Sequence, residues 1–369
     1  MGLNCGIVGL PNVGKTTIFS ALTSSPAETA NYMFSTVEPN VGIISIPDER
    51  LDKIASIFNP KKVTPAVVEF VDIAGLVKGA STGEGLGNKF LSHIRQVGVI
   101  VQVVRCFTDD DIIHVSGKID PVSDIEIINI ELALADLETV EKRKEKLEKL
   151  LKAASKDSGK ETRAVLELIE KLKEGLENGK PARLLGFTEE QELLVRDLHL
   201  ITMKKQIYVC NVDEEALRSG NKYIDMVKEY AEKEGSIAIP ICGKLESEIA
   251  LLETVQERKE FLKEAGLEES GLIKLIHSGY NILGLRTYFT GGEDEVRAWT
   301  FHDGDKAPRA AAVIHTDFEK GFIKAEVYHY DDLIKYGTEQ KVKEAGKLRL
   351  EGKGYVVKDG DIMHFRFNV

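Results

Sequence analysis

Long apolar runs are missing from this 369-residue chain. None approaches the ~20 residues a membrane helix needs, so no membrane partner is expected. Cysteine is scarce: Cys5, Cys106, Cys210 and Cys242 are far apart and form no C-x-x-C pair. That spacing argues against a disulfide framework and against a thiolate metal centre. Three of the four end apolar, strand-like runs, which predicts buried free thiols. A strand-like run begins at Leu3, so no secretory leader and a cytoplasmic location are expected. A basic excess is also absent. Lys+Arg number 49 against 60 Asp+Glu, a net charge of −11, which excludes a surface that coats nucleic acid throughout. There is no internal repeat and no low-complexity tract. The remainder, 43% hydrophobic and 30% charged, is ordinary globular composition with room for two or three domains.

Against these absences stands Gly9-Leu10-Pro11-Asn12-Val13-Gly14-Lys15-Thr16, which fits G-x-x-x-x-G-K-[ST]. Glycines let such a loop curl until successive N–H groups face phosphate oxygens. The cradle is expected from Asn12, Val13, Gly14, Lys15, Thr16 and Thr17. Lys15 would reach the β- and γ-phosphates, and the Thr16 hydroxyl would bind Mg²⁺. The flanks agree: Leu3 to Val8 reads as a buried strand, and Thr17 to Leu22 continues as a helix whose N-terminus suits an anion.

Further segments fit the same chemistry. Val67 to Gly75 is an apolar strand ending in D-x-x-G, in which Asp72 would hold Mg²⁺ and the Gly75 N–H would meet the γ-phosphate. Thr36 lies between the first helix and the second strand, where a switch threonine closes on Mg²⁺. Guanine is ordinarily read by N-K-x-D, but here the strand ends Asn211-Val212-Asp213-Glu214. Valine replaces the lysine that packs along the base, and Glu214 replaces the aspartate that accepts guanine's hydrogens. A side-chain amide such as Asn211 matches adenine's 6-amino donor and N7 acceptor, so specificity is relaxed or shifted toward ATP. Ile241 to Lys244 is expected to add backbone contacts to the base. Leu76 follows D-x-x-G where a water-orienting glutamine is usual, so intrinsic hydrolysis should be slow. His114, in the loop after Arg105-Cys106-Phe107, is the candidate to supply that function.

The chain divides by pattern. β-Branched runs alternating with helical signals predict a mostly parallel α/β sheet over 1–124, resumed over 201–280. Residues 125–200 read as an inserted antiparallel pair of helices, with Val140, Leu147, Leu151 and Ala154 on one and Val165, Ile169, Leu172 and Leu176 on the other at heptad spacing. Residues 141–180 carry 12 Lys+Arg against 9 Asp+Glu, a basic segment in an acidic chain. Residues 281–369 read as a small α+β domain with strands at 287–290, 295–300, 354–357 and 363–367.

Together, Gly9–Thr16, Asp72 to Leu76, Arg105 to Phe107 leading to His114, Asn211–Glu214 and the C-terminal region closely resemble the YchF/Obg-like ATPase family. The resemblance spans nearly the whole chain. It implies an α/β P-loop NTPase fold: a Ras-like (OBG-type) G domain, an inserted antiparallel coiled-coil arm and a C-terminal TGS domain of ubiquitin-like β-grasp type. It implies an ATP-hydrolysing switch that depends on Mg²⁺, with GTP weaker, and that binds the ribosome, chiefly the large subunit. RNA contact would come through the arm and the TGS domain of a monomer. Leu76 matches the family's hydrophobic replacement of glutamine, and His114 matches its loop histidine. Asn211, the Val212 backbone and Glu214 fall in its adenine-contacting segment. Two other readings stay open. One is a non-catalytic ribosome- or RNA-binding adaptor with nucleotide as a conformational ligand, motivated by the arm and by Lys341, Lys343, Lys347, Arg349 and Lys353. The other is an Obg- or DRG-type GTPase.

Overall fold

The structure is a computed structural model that describes residues 4–24, 40–73, 86–109, 118–153 and 159–368. In chain order its elements are β1 (Asn4–Val8), α1 (Lys15–Ser24), β2 (Val41–Ser45), α2 (Glu49–Phe58), β3 (Lys62–Thr64), β4 (Val67–Asp72), α3 (Leu86–Gln96), β5 (Val99–Arg105), α4 (Pro121–Ala153), α5 (Lys160–Glu177) and α6 (Glu189–Val195). They continue with β6 (Lys205–Asn211), α7 (Glu214–Ser219), α8 (Lys222–Lys233), β7 (Ile237–Ile241), α9 (Gly243–Ala250), α10 (Val255–Glu264) and α11 (Gly271–Ile282). The last are β8 (Leu285–Thr290), β9 (Glu295–His302), α12 (Ala307–Ala312), α13 (Thr316–Lys320), β10 (Phe322–His329), α14 (Tyr330–Tyr336), α15 (Glu339–Glu344), β11 (Arg349–Glu351) and β12 (Asp361–Phe367).

Two compact units emerge. The first takes the segments before Gly42 and Glu69–Leu275; the second takes Ile43–Val68 and Ile276–Val369. The first unit's sheet runs β2-β4-β1-β5-β6-β7, with β4, β1, β5, β6 and β7 joined in parallel. Parallel strands covered on both faces require near-continuous apolar sequence, and all seven residues of β5 are buried. All four cysteines are free and buried, three of them in one core cluster beside β5 and β6.

The predicted helix pair is present as α4 and α5. Lys144 pairs with Glu170 and Glu141 with Lys173, so number rises on one helix as it falls on the other: the pair is antiparallel. Val140 and Leu147 of α4 bury against Leu168, Ile169, Leu172 and Leu176 of α5, which is the spacing that the heptad pattern requires. Leu151 is half-buried, and Ala154 lies outside the described residues.

The second unit is built on a sheet in the order β11-β10-β12-β8-β9-β3. It mixes antiparallel pairs (β10 with β11 and β12, β8 with β9) with parallel ones (β12 with β8, β3 with β9). Two of its features differ from the sequence reading. Ile43–Val68, assigned by sequence to the nucleotide domain, packs with the C-terminal residues because β3 adds an edge strand to β9 and the Phe58 ring lies against Gly291. Residues 354–357 form no strand, only an isolated bridge from Lys306 to Val356; the strand is instead β10, which the sequence reading missed.

Candidate functional site

The loop between β1 and α1 turns in the left-handed region at Asn12 (φ 62°) and Gly14 (φ 89°). A side chain at Gly14 would be strained there, and its Cβ would also lie 2.1 Å from the Asn211 amide nitrogen. A Cβ at Gly9 would meet the Val103 carbonyl at 2.8 Å. Both motif glycines therefore serve close approach, and Gly14 serves conformation as well. Val13 is buried, while Asn12, Thr16 and Thr17 are exposed. The first helical bond of α1 is the Ile18 N–H to the Gly14 carbonyl, 3.1 Å. The N–H groups before it have no partner within the helix, which is what an anion needs.

Lys15 and Asp72 are brought together from the ends of two hydrogen-bonded strands. β1 and β4 are in register from Asn4↔Glu69 to Ile7↔Asp72. This places the Lys15 ammonium 3.3 Å from Asp72 Oδ1, with side chains only 13% and 12% exposed. Asp72 Oδ1 is buried and accepts no hydrogen bond from the described residues. A buried carboxylate oxygen that, among the described residues, faces only a cation, and an exposed threonine hydroxyl in the phosphate loop, have the donor chemistry that Mg²⁺ prefers. Asp72 and Thr16 thus fit a magnesium site. Thr36, Gly75, Leu76 and His114 lie outside the described residues.

The Asn211 amide is a clasp. Its Nδ2 donates to the Val13 carbonyl at 2.9 Å and its Oδ1 accepts from the Gly243 N–H at 3.1 Å. One side chain at the end of β6 therefore fixes the phosphate loop and the start of α9 together. An amide has two hydrogens and two lone pairs, so one of each remains for a ligand. The neighbouring backbone is pinned too: Cys106 N–H donates to the Asn211 carbonyl (2.8 Å) and Val212 N–H to the Ile241 carbonyl (2.9 Å). Val212 is buried, and its N–H is committed to the sheet.

The two carboxylates that follow are already engaged. Asp213 is the N-cap of α7, accepting from the Ala216 N–H at 2.8 Å. Glu214 pairs with Lys244 at 3.3 Å. The sequence reading expects backbone contacts to the base from Ile241 to Lys244 and does not anticipate this ion pair. It also missed Glu246, a buried carboxylate that accepts from the Ser270 hydroxyl (2.6 Å) and the Gly271 N–H (2.7 Å). Burial raises its pKa above the usual carboxylate range, against those two hydrogen bonds. An acid in the first turn of the helix after Cys242-Gly243-Lys244 was the available signal, and it is also a common first-turn residue.

Comparison with known proteins agrees with this arrangement. A family model described as 50S ribosome-binding GTPase matches residues 4–171, and a YchF-GTPase C-terminal model, described as a protein of unknown function, matches residues 285–368. The chain is 58% identical to the ribosome-binding ATPase YchF of Bacillus subtilis, and 53% identical to the proteins of that name from Haemophilus influenzae and Escherichia coli O157:H7. Each match covers 100% of both chains. A solved structure, the Schizosaccharomyces pombe YchF GTPase, superposes with a TM-score of 0.90 at 43% identity, covering 99% of this chain and 98% of that one. The chain belongs to the YchF family.

Proposed function

We propose that this YchF-family chain is a Mg²⁺-dependent ATPase whose nucleotide state governs its binding to the ribosome, chiefly the large subunit. The observation that carries the reading is the assembly around Lys15: a phosphate loop clasped by Asn211, with Asp72 3.3 Å from the Lys15 ammonium. Mg²⁺, when bound through Thr16, Thr36 and Asp72, neutralises charge on the phosphates. The chain's own groups do the rest. Loop N–H groups from Asn12 to Thr17 and the Lys15 ammonium stabilise charge developing on the transferred phosphoryl group. Gly75 offers its N–H to the γ-phosphate. Leu76 orients no water, so His114 supplies that function and the unassisted rate is slow.

Relatives carry both names, ATPase in the bacterial proteins and GTPase in the yeast structure, so the base needs its own argument. Guanine recognition needs a carboxylate facing its N1 and 2-amino hydrogens. Here Asp213 caps α7 and Glu214 faces Lys244, while the Asn211 amide retains one donor and one acceptor, the pair that adenine's edge matches. With the Val212 N–H bound to Ile241, its backbone contact to the base comes from the carbonyl. Steady-state hydrolysis of ATP and GTP, each with and without ribosomes, tests the reading. We expect ATP to be preferred, and a clear GTP preference would overturn this assignment. Lys244→Ala should lower the ATP:GTP ratio by about 2–5-fold, the scale of an exposed ion pair.

The same reading assigns 1–124 and 201–280 to an OBG-type G domain, 125–200 to a coiled-coil arm and 281–369 to a TGS domain, in a cytoplasmic monomer. No described helix is long and apolar enough to cross a membrane. A non-catalytic ribosome- or RNA-binding adaptor, with nucleotide as a conformational ligand, is the second reading, supported by the exposure of Lys341, Lys343, Lys347, Arg349 and Lys353. Ribosome co-sedimentation of Lys15→Ala separates the two: a lost response to ATP favours the switch, and unaltered binding favours the adaptor.

A further inference from the structure

The helix pair is rooted in the first unit at two places of different character. At β6 the root is buried and densely hydrogen-bonded, with Arg183 Nε alone among its described polar groups left without a partner. Gln206 donates to Asn129 of α4 (3.2 Å), and Arg183, just beyond α5, reaches Gln206 (2.9 Å) and Glu234 (2.6 Å). The Tyr208 hydroxyl donates to the same glutamate at 2.7 Å. Moving any member would strand buried polar groups, so this root is stiff.

The other root is Arg95, in the last turn of α3. Its guanidinium donates to the Thr139 hydroxyl (3.0 Å) and the Ala135 carbonyl (3.3 Å) of α4, and to the His199 carbonyl (3.2 Å). It also lies 3.8 Å from Asp136, which is wholly buried and accepts from the Ile201 N–H (2.9 Å), the Thr202 N–H (2.7 Å) and the Thr202 hydroxyl (2.8 Å). Lys204 closes the cluster by donating to the Arg95 carbonyl (3.1 Å) and the Val97 carbonyl, at the negative end of α3. The Arg95 side chain is 28% exposed, so its bonds can exchange with water at small cost. α3 is also the first described element after Asp72, the carboxylate that faces Lys15.

We propose that Arg95 is the positioning residue that couples α3 to the helix pair, so that displacement of α3 on nucleotide exchange tilts α4 about its stiff root on β6. The coupling rests on the nucleotide-hydrolysing reading above. A guanidinium suits it because its fixed fork spans acceptors on two elements at once, whereas a lysine ammonium is a single point on a flexible stem. From Asn129, the residue held by β6, to Ala153 α4 extends about 36 Å, so a tilt of roughly 10° moves its distal end by about 6 Å.

Pulsed EPR distances within the full-length chain test this. Spin labels go on Lys152→Cys, exposed near the distal end of α4, and Lys228→Cys, exposed on α8; the native cysteines are buried. Distances are compared without nucleotide, with Mg²⁺–ADP and with a non-hydrolysable Mg²⁺–ATP analogue, while nucleotide affinity and hydrolysis are measured separately. We expect the nucleotides to shift the distance by roughly 3–6 Å, according to the direction of the tilt. Arg95→Ala and Arg95→Lys should abolish the shift and leave affinity and hydrolysis within two-fold. Arg95→Lys keeps a cation beside Asp136, so it carries the test if the alanine variant folds poorly. A shift that survives in Arg95→Lys overturns the proposal. So does an unshifted parent that binds and hydrolyses ATP, and that result leaves the ATPase reading standing. A parent that binds no nucleotide overturns both.

Discussion

Asn211 shows how one side chain can serve structure and recognition together. Its amide spends one hydrogen on Val13 and one lone pair on Gly243, and the loop must come close enough to be held. Gly14 makes that approach available. Gly14→Ala places a methyl group against the amide nitrogen at a φ that alanine tolerates poorly, so the clasp must open. Nucleotide affinity should fall at least ~10-fold, about 1.4 kcal/mol, as measured by titration with a fluorescent nucleotide. Retained affinity would show that the clasp does not organise the loop. Glu246 makes a different point, since its carboxyl is raised from 4.5 by burial. A carboxyl raised in the folded state holds its proton there more tightly than in the unfolded chain. Its stabilising contribution is complete below pH 4.5 and is lost as pH climbs toward the folded value. Glu246→Gln removes this slope. The stability of the parent relative to that variant should therefore decline as pH rises above 4.5 in urea unfolding. A rise over that range would contradict the burial argument.

At the scale of elements, periodicity was legible wherever one rule dominated. The parallel strands read as continuous apolar runs because helices cover both faces, and α4 and α5 read as heptads because each buries a single stripe. Ile169 is the centre of that stripe and is fully buried. Ile169→Ala should cost about 2–4 kcal/mol of unfolding free energy, and a loss below ~1 kcal/mol would mean the pair does not depend on this seam. The second unit was harder to read for a physical reason. β10 begins Phe322-Ile323-Lys324 with a register shift between Phe322 and Lys324, so its two-residue alternation is broken where a reader would look for it. β3 is three residues long and pairs with β9, more than 200 positions away, and no local pattern encodes that pairing. In the candidate site the residue types were readable and their engagements were not. The sequence offers Glu214 and Lys244 thirty positions apart, and only the meeting of β6 with β7 brings them to 3.3 Å.

Across the whole molecule the question is how a chain of net charge −11 could engage a polyanion such as ribosomal RNA. The distribution of ion pairs along the helix pair suggests where. Nearer the sheet, Lys142, Arg143, Lys144 and Lys173 are tied to Glu138, Asp197, Glu170 and Glu141. Farther out, Lys146, Lys149, Lys152, Lys160 and Arg163 are all exposed, and among the described residues none has a carboxylate within 4.0 Å. A cation already paired gains little from meeting a phosphate, because one attraction replaces another; an unpaired cation gains the full interaction and releases a counterion. The distal end is thus the part of the pair best suited to RNA. Replacing Lys149, Lys152 and Arg163 together by Glu should weaken ribosome co-sedimentation and flatten its dependence on log salt by about 0.7–0.9 per lost contact. Hydrolysis without ribosomes should be unchanged, since none of the three approaches Lys15 or Asp72. If the triple variant co-sediments as the parent does, with the same salt slope, the distal helices do not contact RNA, and the exposed lysines of Lys341 to Lys353 become the surface to test.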